Sequence, residues 1–338
     1  MTEENKLGLA TSPASEQVCY MVGSDQLDDS YGGALDRAHL QTLMKRSSAR
    51  GYMRLAGHSA LIVFTGWVIY SVQGTWWLVP ALIAHGGVLT FLFCGLHETV
   101  HRTAFPSRLL NDAVATAIGF LVFVPAIHFR AYHMDHHRFT QISSRDPELC
   151  IAKPKTLTAY VWLVSGVPFM REQIRGMCAR SAGRVTDSFG ASGRRTQMIV
   201  EARIHGMLYA AAALLIVAGW TAPLIYWVVP AVLGQPFLRL VLLAEHTGCA
   251  RSNDMYVNTR TTCTNVFVRF LMWNMPYHTE HHLYPGVPFY ALPNAHSAMT
   301  KTRNVTALSY VKFHADYVRA LVAGRGGDFV EANYVRGD

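Results

Sequence analysis

Long apolar runs alternate with polar, basic stretches along this chain, and the lengths of the apolar runs predict its elements. Leu55 to Val72 and Trp76 to Gly95 are almost wholly apolar, and each approaches the ~20 residues that cross a bilayer core. Gln73-Gly74-Thr75 between them is long enough only to reverse direction, so the pattern predicts a transmembrane hairpin, with Trp76 and Trp77 at the interface. A second hairpin is expected from Gly206 to Trp220 and Leu224 to Ala244, turning at Thr221-Ala222-Pro223. Leu109 to Ile127 is apolar but diluted by Asn111, Asp112, Thr116 and Pro125, which favours a re-entrant or surface-lying segment over a crossing. Residues 128 to 205 are polar and arginine-rich; within them Thr156 to Met170 suits an amphipathic helix and Ser181 to Arg195 a mobile loop. Residues 1–40 lack sustained periodicity and read as a polar N-terminal tail, 41–320 as the folded membrane unit, and 321–338 as a C-terminal tail.

Composition supports a chain that meets lipid. Of its 338 residues, 51% are hydrophobic and only 15% charged, where soluble domains carry roughly 25% charged residues. The net charge of +8 comes without a Lys/Arg run interleaved with aromatics, so no nucleic-acid partner is expected. Its distribution is more informative. Neither hairpin turn carries Lys or Arg, while every long segment between hairpins does, and the positive-inside rule then places both termini and the polar segments in the cytoplasm. The six cysteines are scattered and form no CxxC pair, which argues against a disulfide framework, a zinc ribbon or an iron–sulfur site. The first residues lack a basic stretch leading into an apolar core, so no cleaved signal peptide is expected.

The candidate chemistry lies in histidine spacing. His133-Met134-Asp135-His136-His137 and His278-Thr279-Glu280-His281-His282 share the pattern HxxHH, and His97 and His101 stand in HETVH upstream. Positions i, i+3 and i+4 project from one helical face, so each box can aim its imidazoles into one space. Convergent neutral imidazoles have one common use, which is holding a transition metal, and they suit Fe, Cu, Zn or Ni over Mg or Ca. His246, in Ala244-Glu245-His246, is a ninth candidate because it too sits where a membrane helix reaches the cytoplasm. Eight or nine histidines exceed the ligands of one ion and suggest two metals. Glu98, Asp135, Glu245 and Glu280 lie beside candidate ligands and could accept hydrogen bonds from their second ring nitrogens. Of the remaining histidines, His39, His205 and His314 are expected at the surface, His58 and His85 in helix–helix hydrogen bonds, and His128 and His296 fall off the box spacing.

HETVH, HMDHH and HTEHH resemble the histidine boxes of the membrane fatty acid desaturase/hydroxylase superfamily of non-haem di-iron enzymes, as do Arg145-Asp146-Pro147-Glu148 and His282-Leu-Tyr-Pro-Gly-Val-Pro. The likeness covers roughly residues 50 to 310. It implies an all-α membrane protein with four transmembrane helices in two hairpins and a cytosolic helical cap holding the boxes. It also implies two iron ions held by His97, His101, His133, His136, His137, His278, His281 and His282, with His246 as the extra ligand after the fourth helix. Dioxygen would be the co-substrate and a fatty acyl chain of a lipid the substrate, with a double bond as the product. No HPGG motif of a fused cytochrome b5 is present, which implies a separate donor of ferredoxin or rubredoxin type with its reductase. Box one has three intervening residues where some acyl-CoA desaturases have four, and box three opens with His278 where front-end desaturases have Gln.

Other readings compete. A lipid hydroxylase or a carotenoid oxygenase of the same superfamily would carry the same boxes, because substrate placement decides the outcome. His97-Glu98-Thr99-Val100-His101 also satisfies HExxH, the signature of a zinc protease with Glu98 as general base, but that leaves both HxxHH boxes unexplained. A metal transporter would place its sites near the bilayer midplane, whereas these boxes fall at helix ends and in polar segments.

Overall fold

A computed structural model describes residues 35–185, 193–299, 305–307 and 309–331. Most of the tail expected over 1–40, part of the loop expected over Ser181 to Arg195, and the last residues of the C-terminal tail lie outside them. The architecture is helical throughout, apart from one short pair of strands.

The chain enters through α1 (Arg37–Leu43), capped by the Asp36 carboxylate, while the Leu35 N–H donates to Tyr284 Oη at 3.1 Å. Ser47 caps α2 (Ser48–Ser71) by accepting from Arg50 N. α3 (Leu78–Thr90) and α4 (Leu92–His101) follow, interrupted only at Phe91, and together form a span long and apolar enough to cross a membrane. α5 (Arg108–Leu121) and α6 (Ala126–Phe139) are bent against each other by 103°. That bend accords with a segment that folds back and does not continue across. α7 (Leu157–Val164) and α8 (Val167–Ser181) occupy the stretch expected as one amphipathic helix. They are separated at Gly166, whose φ of 75° favours glycine and whose missing Cβ would strike the Gln235 side chain.

α9 (Arg195–Val217) is the second apolar span; it begins well before the expected Gly206, so its first turns lie in the arginine-rich segment. The third runs from Leu224 to His246 as a π-helical turn, α10 (Val229–Leu233) and α11 (Gln235–His246). Then come α12 (Met255–Asn258), β1 (Arg260–Thr262), α13 (Val266–Leu271), α14 (His278–Leu283), α15 (Leu292–Ala298), β2 (Val305–Ala307), α16 (Tyr310–Val322) and α17 (Gly326–Glu331). β1 and β2 pair in parallel, with Thr261 opposite Thr306.

Three helices among the described residues are therefore long and apolar enough to span a membrane, or four if the bent pair counts as one. α2, expected as the first span, has the length at 24 residues but is diluted by His58, Ser59 and Thr65. Its outward face is still apolar and aromatic, with Val63, Phe64, Trp67 and Tyr70 exposed, and α9 exposes Met207, Leu208, Leu214 and Val217. Exposed apolar faces of this extent mark a lipid-facing surface.

Close backbone approach joins the spans: a Cβ on Gly86 would strike the Pro230 carbonyl, and one on Gly234 the Gly86 carbonyl. Polar residues bridge the helices where lipid offers no partners. His58 Nε2 lies 2.9 Å from Val88 O and its Nδ1 accepts from Trp273 Nε1 at 3.2 Å. His85 Nδ1 pairs with Thr65 Oγ1 at 2.6 Å. The helix-bridging role expected of these two histidines is what the structure shows. Two others differ from expectation. His205 is buried on α9 beside Phe120 and Tyr209, and His314 joins Tyr160 Oη to Leu240 O. Each lies on the inward face of its helix, which a surface assignment by polarity alone misses.

Candidate metal centre

The boxes come together where α4, α6, α11 and α14 meet. All nine candidate histidines are buried: His97, His101, His133, His136, His137, His246, His278, His281 and His282. His97, His101, His133, His137 and His281 form one group, and His136, His246 and His282 another; within each, every histidine offers a ring nitrogen within 4.8 Å of the others. His278 sits at the edge of the second group, its Nε2 lying 3.2 Å from His246 Nε2 and 3.1 Å from His282 Nε2.

The imidazoles meet tip to tip. His133 Nε2 lies 2.9 Å from His101 Nε2 and 3.0 Å from His137 Nε2, which is 3.1 Å from His281 Nε2. A neutral imidazole carries one N–H, so a string of shared Nε2 contacts cannot satisfy every ring as hydrogen bonds. Nitrogens bound to one ion at about 2.1 Å stand roughly 3 Å apart at right angles, which matches these spacings. His97 leaves both ring nitrogens buried without partners among the described residues. The donor set therefore fits a pair of nitrogen-ligated transition metals. Burial and neighbouring imidazoles hold the rings of His278, His281 and His282 well below the usual histidine range, keeping them in the neutral form that binds metal.

The rings are aimed from behind by residues the sequence did not single out. Asp146 Oδ1 lies 2.9 Å from His136 Nδ1, Thr140 Oγ1 is 3.2 Å from His282 Nδ1, and Asn258 O is 3.2 Å from His246 Nδ1. Burial opposes the charge on Asp146, but His136 and the backbone N–H groups of Gln141 and Glu148 outweigh it and hold the carboxyl below its usual range. The DPE triplet after box two was visible, yet only the fold shows that its Asp turns back onto His136.

The four acidic residues beside the boxes do not take the role expected of them. Glu98 accepts from Phe289 N, Asp135 faces Arg138, and Glu280 accepts from Thr261 Oγ1 and contacts His296 Nδ1 at 2.5 Å. Glu245 Oε2 lies 3.5 Å from the metal-facing His278 Nε2, not from a rear nitrogen. Neighbours on a helix point about 100° apart, so adjacency in sequence misleads here. Glu98 ties box one to the loop after box three, which removes it from the place of a protease's general base.

Each box is bounded by a non-glycine residue in the left-handed region: Arg102 after box one (φ 62°), Gln141 after box two (φ 64°), and Trp273 and Asn274 before box three (φ 50° and 60°). Such conformations persist only when the surroundings over-determine them. Here Arg102 makes a two-point contact with Asp112, Gln141 Nε2 donates to His246 O, and Asn274 Nδ2 donates to Phe289 O.

A cavity of about 1780 Å³ reaches His97 and His133 of the first group and His136 and His278 of the second, and is lined on one side by Phe93, Val124, Phe129, Leu242 and Met275. Its outer wall includes α7 and α8, with Trp162 and Phe169. It exceeds the size typical of drug-like ligand pockets and has room for a long flexible chain.

Apolar spans ending in a buried cluster of metal-ready imidazoles beside a large cavity describe a membrane protein with a histidine-built metal centre. A fatty acid desaturase family model matches residues 74–313, more than half of the chain, and the protein belongs to that family. The human sphingolipid delta(4)-desaturase/C4-monooxygenase DES2 is 26% identical over 242 residues, covering 67% of each chain. Sphingolipid delta(4)-desaturase DES1 of Drosophila melanogaster is 23% identical over 226 residues, covering 64% of each. A delta(12) acyl-lipid conjugase of Momordica charantia is 37% identical over 70 residues, covering 21% of this chain and 17% of its own length.

Proposed function

We propose that the protein is an oxygen-dependent desaturase that introduces a double bond into a fatty acyl chain of a lipid. The observation that carries this reading is the pair of imidazole groups facing the cavity. His97, His101, His133, His137 and His281 would hold one iron, and His136, His246, His278 and His282 the other. Reduced iron with dioxygen supplies an oxidant able to attack an unactivated C–H bond. The chain's own residues do the rest. The apolar wall of Phe93, Phe129, Leu242 and Met275 excludes water and presents one stretch of carbon chain to the imidazole cluster, and Asp146, Thr140 and Asn258 fix the rings of the second group.

Four membrane crossings, with both termini and the boxes in the cytoplasm, complete the proposal; the charge-free hairpin turns support that orientation. Electrons would come from a separate ferredoxin- or rubredoxin-type donor with its reductase. Hydroxylation of the same lipid is a second reading, favoured by the C4-monooxygenase activity for which the human relative is named.

Expression with a donor system in a host lacking the activity, followed by mass spectrometry of total lipids, tests the reading. A mass change of about minus two marks desaturation and about plus sixteen hydroxylation, by the atoms exchanged. The His136→Ala variant should lose both the product and bound iron. Unchanged lipids, with iron and donor supplied, would overturn the proposal.

A further inference from the structure

Several cations line the cavity, and one of them shares a helix with a histidine of the metal centre. Arg239 stands on α11 seven residues before His246, two helical turns or about 10 Å of rise away. Arg239 is half-buried and lines the same cavity as His97, His136 and His278. Nε and Nη2 are buried without a hydrogen-bond partner among the described residues. The guanidinium lies over the Phe169 ring, 4.0 Å from its centroid, an arrangement that covers its face and leaves its donor edge for hydrogen bonding.

A charge within a membrane helix is costly and marks function more often than packing. Were this arginine only structural, a carboxylate would be expected to close on it. Glu148 and Glu245 are near enough to act on it electrostatically, but both lie against the imidazoles instead. Glu148 is 3.8 Å from His136 Nε2 and Glu245 3.5 Å from His278 Nε2.

We propose that Arg239 anchors the polar end of the substrate by binding an oxyanion, a carboxylate or a phosphate, at the head of an apolar chain. The proposal rests on the reading of this cavity as the lipid site. The planar guanidinium edge matches either oxyanion in two-point geometry. Phe169 backs the cation, and the apolar wall between Arg239 and the imidazoles takes the chain. Because Arg239 and His246 share one helix, the anchor fixes which carbon reaches the cluster.

The test uses the full-length, iron-loaded protein in a neutral detergent, with laurate, dodecyl phosphate and dodecanol as probes in equilibrium dialysis. At least one anionic probe should bind the wild type tenfold or more tightly than dodecanol. The tighter of the two tells a free acid from a phospholipid head. Arg239→Gln should bring anionic binding down to the dodecanol level with iron per chain unchanged, and Arg239→Lys should retain part of the preference. Equal affinities for all three probes, or a full preference in Arg239→Gln, would overturn the anchor. If Arg239→Gln does not fold, Arg239→Lys decides, and an anionic preference left at the full wild-type level would overturn the anchor. A clear anionic preference with no oxidised lipid would count against the desaturase reading alone. Equal affinities alongside lipid oxidation would remove the anchor alone.

Discussion

Asp146→Ala tests whether the metal centre depends on the residues behind it. The carboxylate is 4% exposed and receives His136 Nδ1 at 2.9 Å, Gln141 N at 2.8 Å and Glu148 N at 2.9 Å. Alanine strands all three, and a buried donor left without a partner costs about 1–3 kcal/mol. Part of that cost falls on the fold, since Gln141 sits at φ 64° and loses the acceptor that holds it there. The part that falls on the metal follows from the His136 ring, which is freed to rotate. Removing such an outer partner typically weakens metal affinity about 10- to 100-fold, equivalent to about 1.4–2.7 kcal/mol. The assay is iron per purified chain, followed by the chelator concentration that removes half of it. Asp146→Ala should release iron at a chelator concentration at least tenfold lower than the wild type. Asp135→Ala is the control: Asp135 sits inside box two but pairs with Arg138, at 3.9 Å, and should leave the titration unmoved. Equal chelator resistance in Asp146→Ala and wild type would refute the argument that His136 is aimed from behind by this carboxylate. A shift in Asp135→Ala as large as in Asp146→Ala would show that the box helix, and not the hydrogen bond, controls affinity.

Two further predictions concern the membrane helices. Gly86→Ala places a methyl group against the Pro230 carbonyl and should destabilise the protein by about 1–3 kcal/mol, the usual cost of overpacking. Gly87→Ala, whose Cβ would meet only the Phe237 ring at 3.4 Å, should be near neutral; thermal unfolding in detergent compares the two, and equal midpoints would contradict the close crossing. His58→Leu leaves Val88 O and Trp273 Nε1 without their partner and should cost about 2–4 kcal/mol while iron per folded chain stays constant. An unchanged melting temperature would mean that the bridge contributes nothing.

Much of this fold was legible because the bilayer imposes a length scale. The runs around Trp76 to Gly95 and Leu224 to Ala244 met it, and both fall in helices long and apolar enough to cross a membrane. α2 shows where the rule weakens: the polar residues that bridge it to its neighbours, His58 and Thr65, are the same ones that dilute its hydropathy. At the site, HxxHH spacing was readable because i, i+3 and i+4 share a helical face, and the three boxes do meet. The supporting residues were not readable. Asp146 and Asn258 reach His136 and His246 across turns, and Glu98 reaches Phe289 across 191 positions. No local periodicity encodes such contacts.

The burial of the centre and the strain around it are linked. Nine imidazoles enclosed together gain little from one another, and their enclosure costs hydration that only a bound metal or well-placed acceptors can offset. The folded chain must therefore hold the boxes rigidly before metal arrives. The left-handed residues Arg102 and Gln141 follow the helices of boxes one and two, Asn274 precedes that of box three, and each is fastened by a side-chain hydrogen bond to a different part of the chain. The opposite side of the boxes faces α7 and α8. That is the side on which the cavity opens and on which Phe169 meets Arg239. The imidazoles are thus fastened from behind and meet the cavity in front.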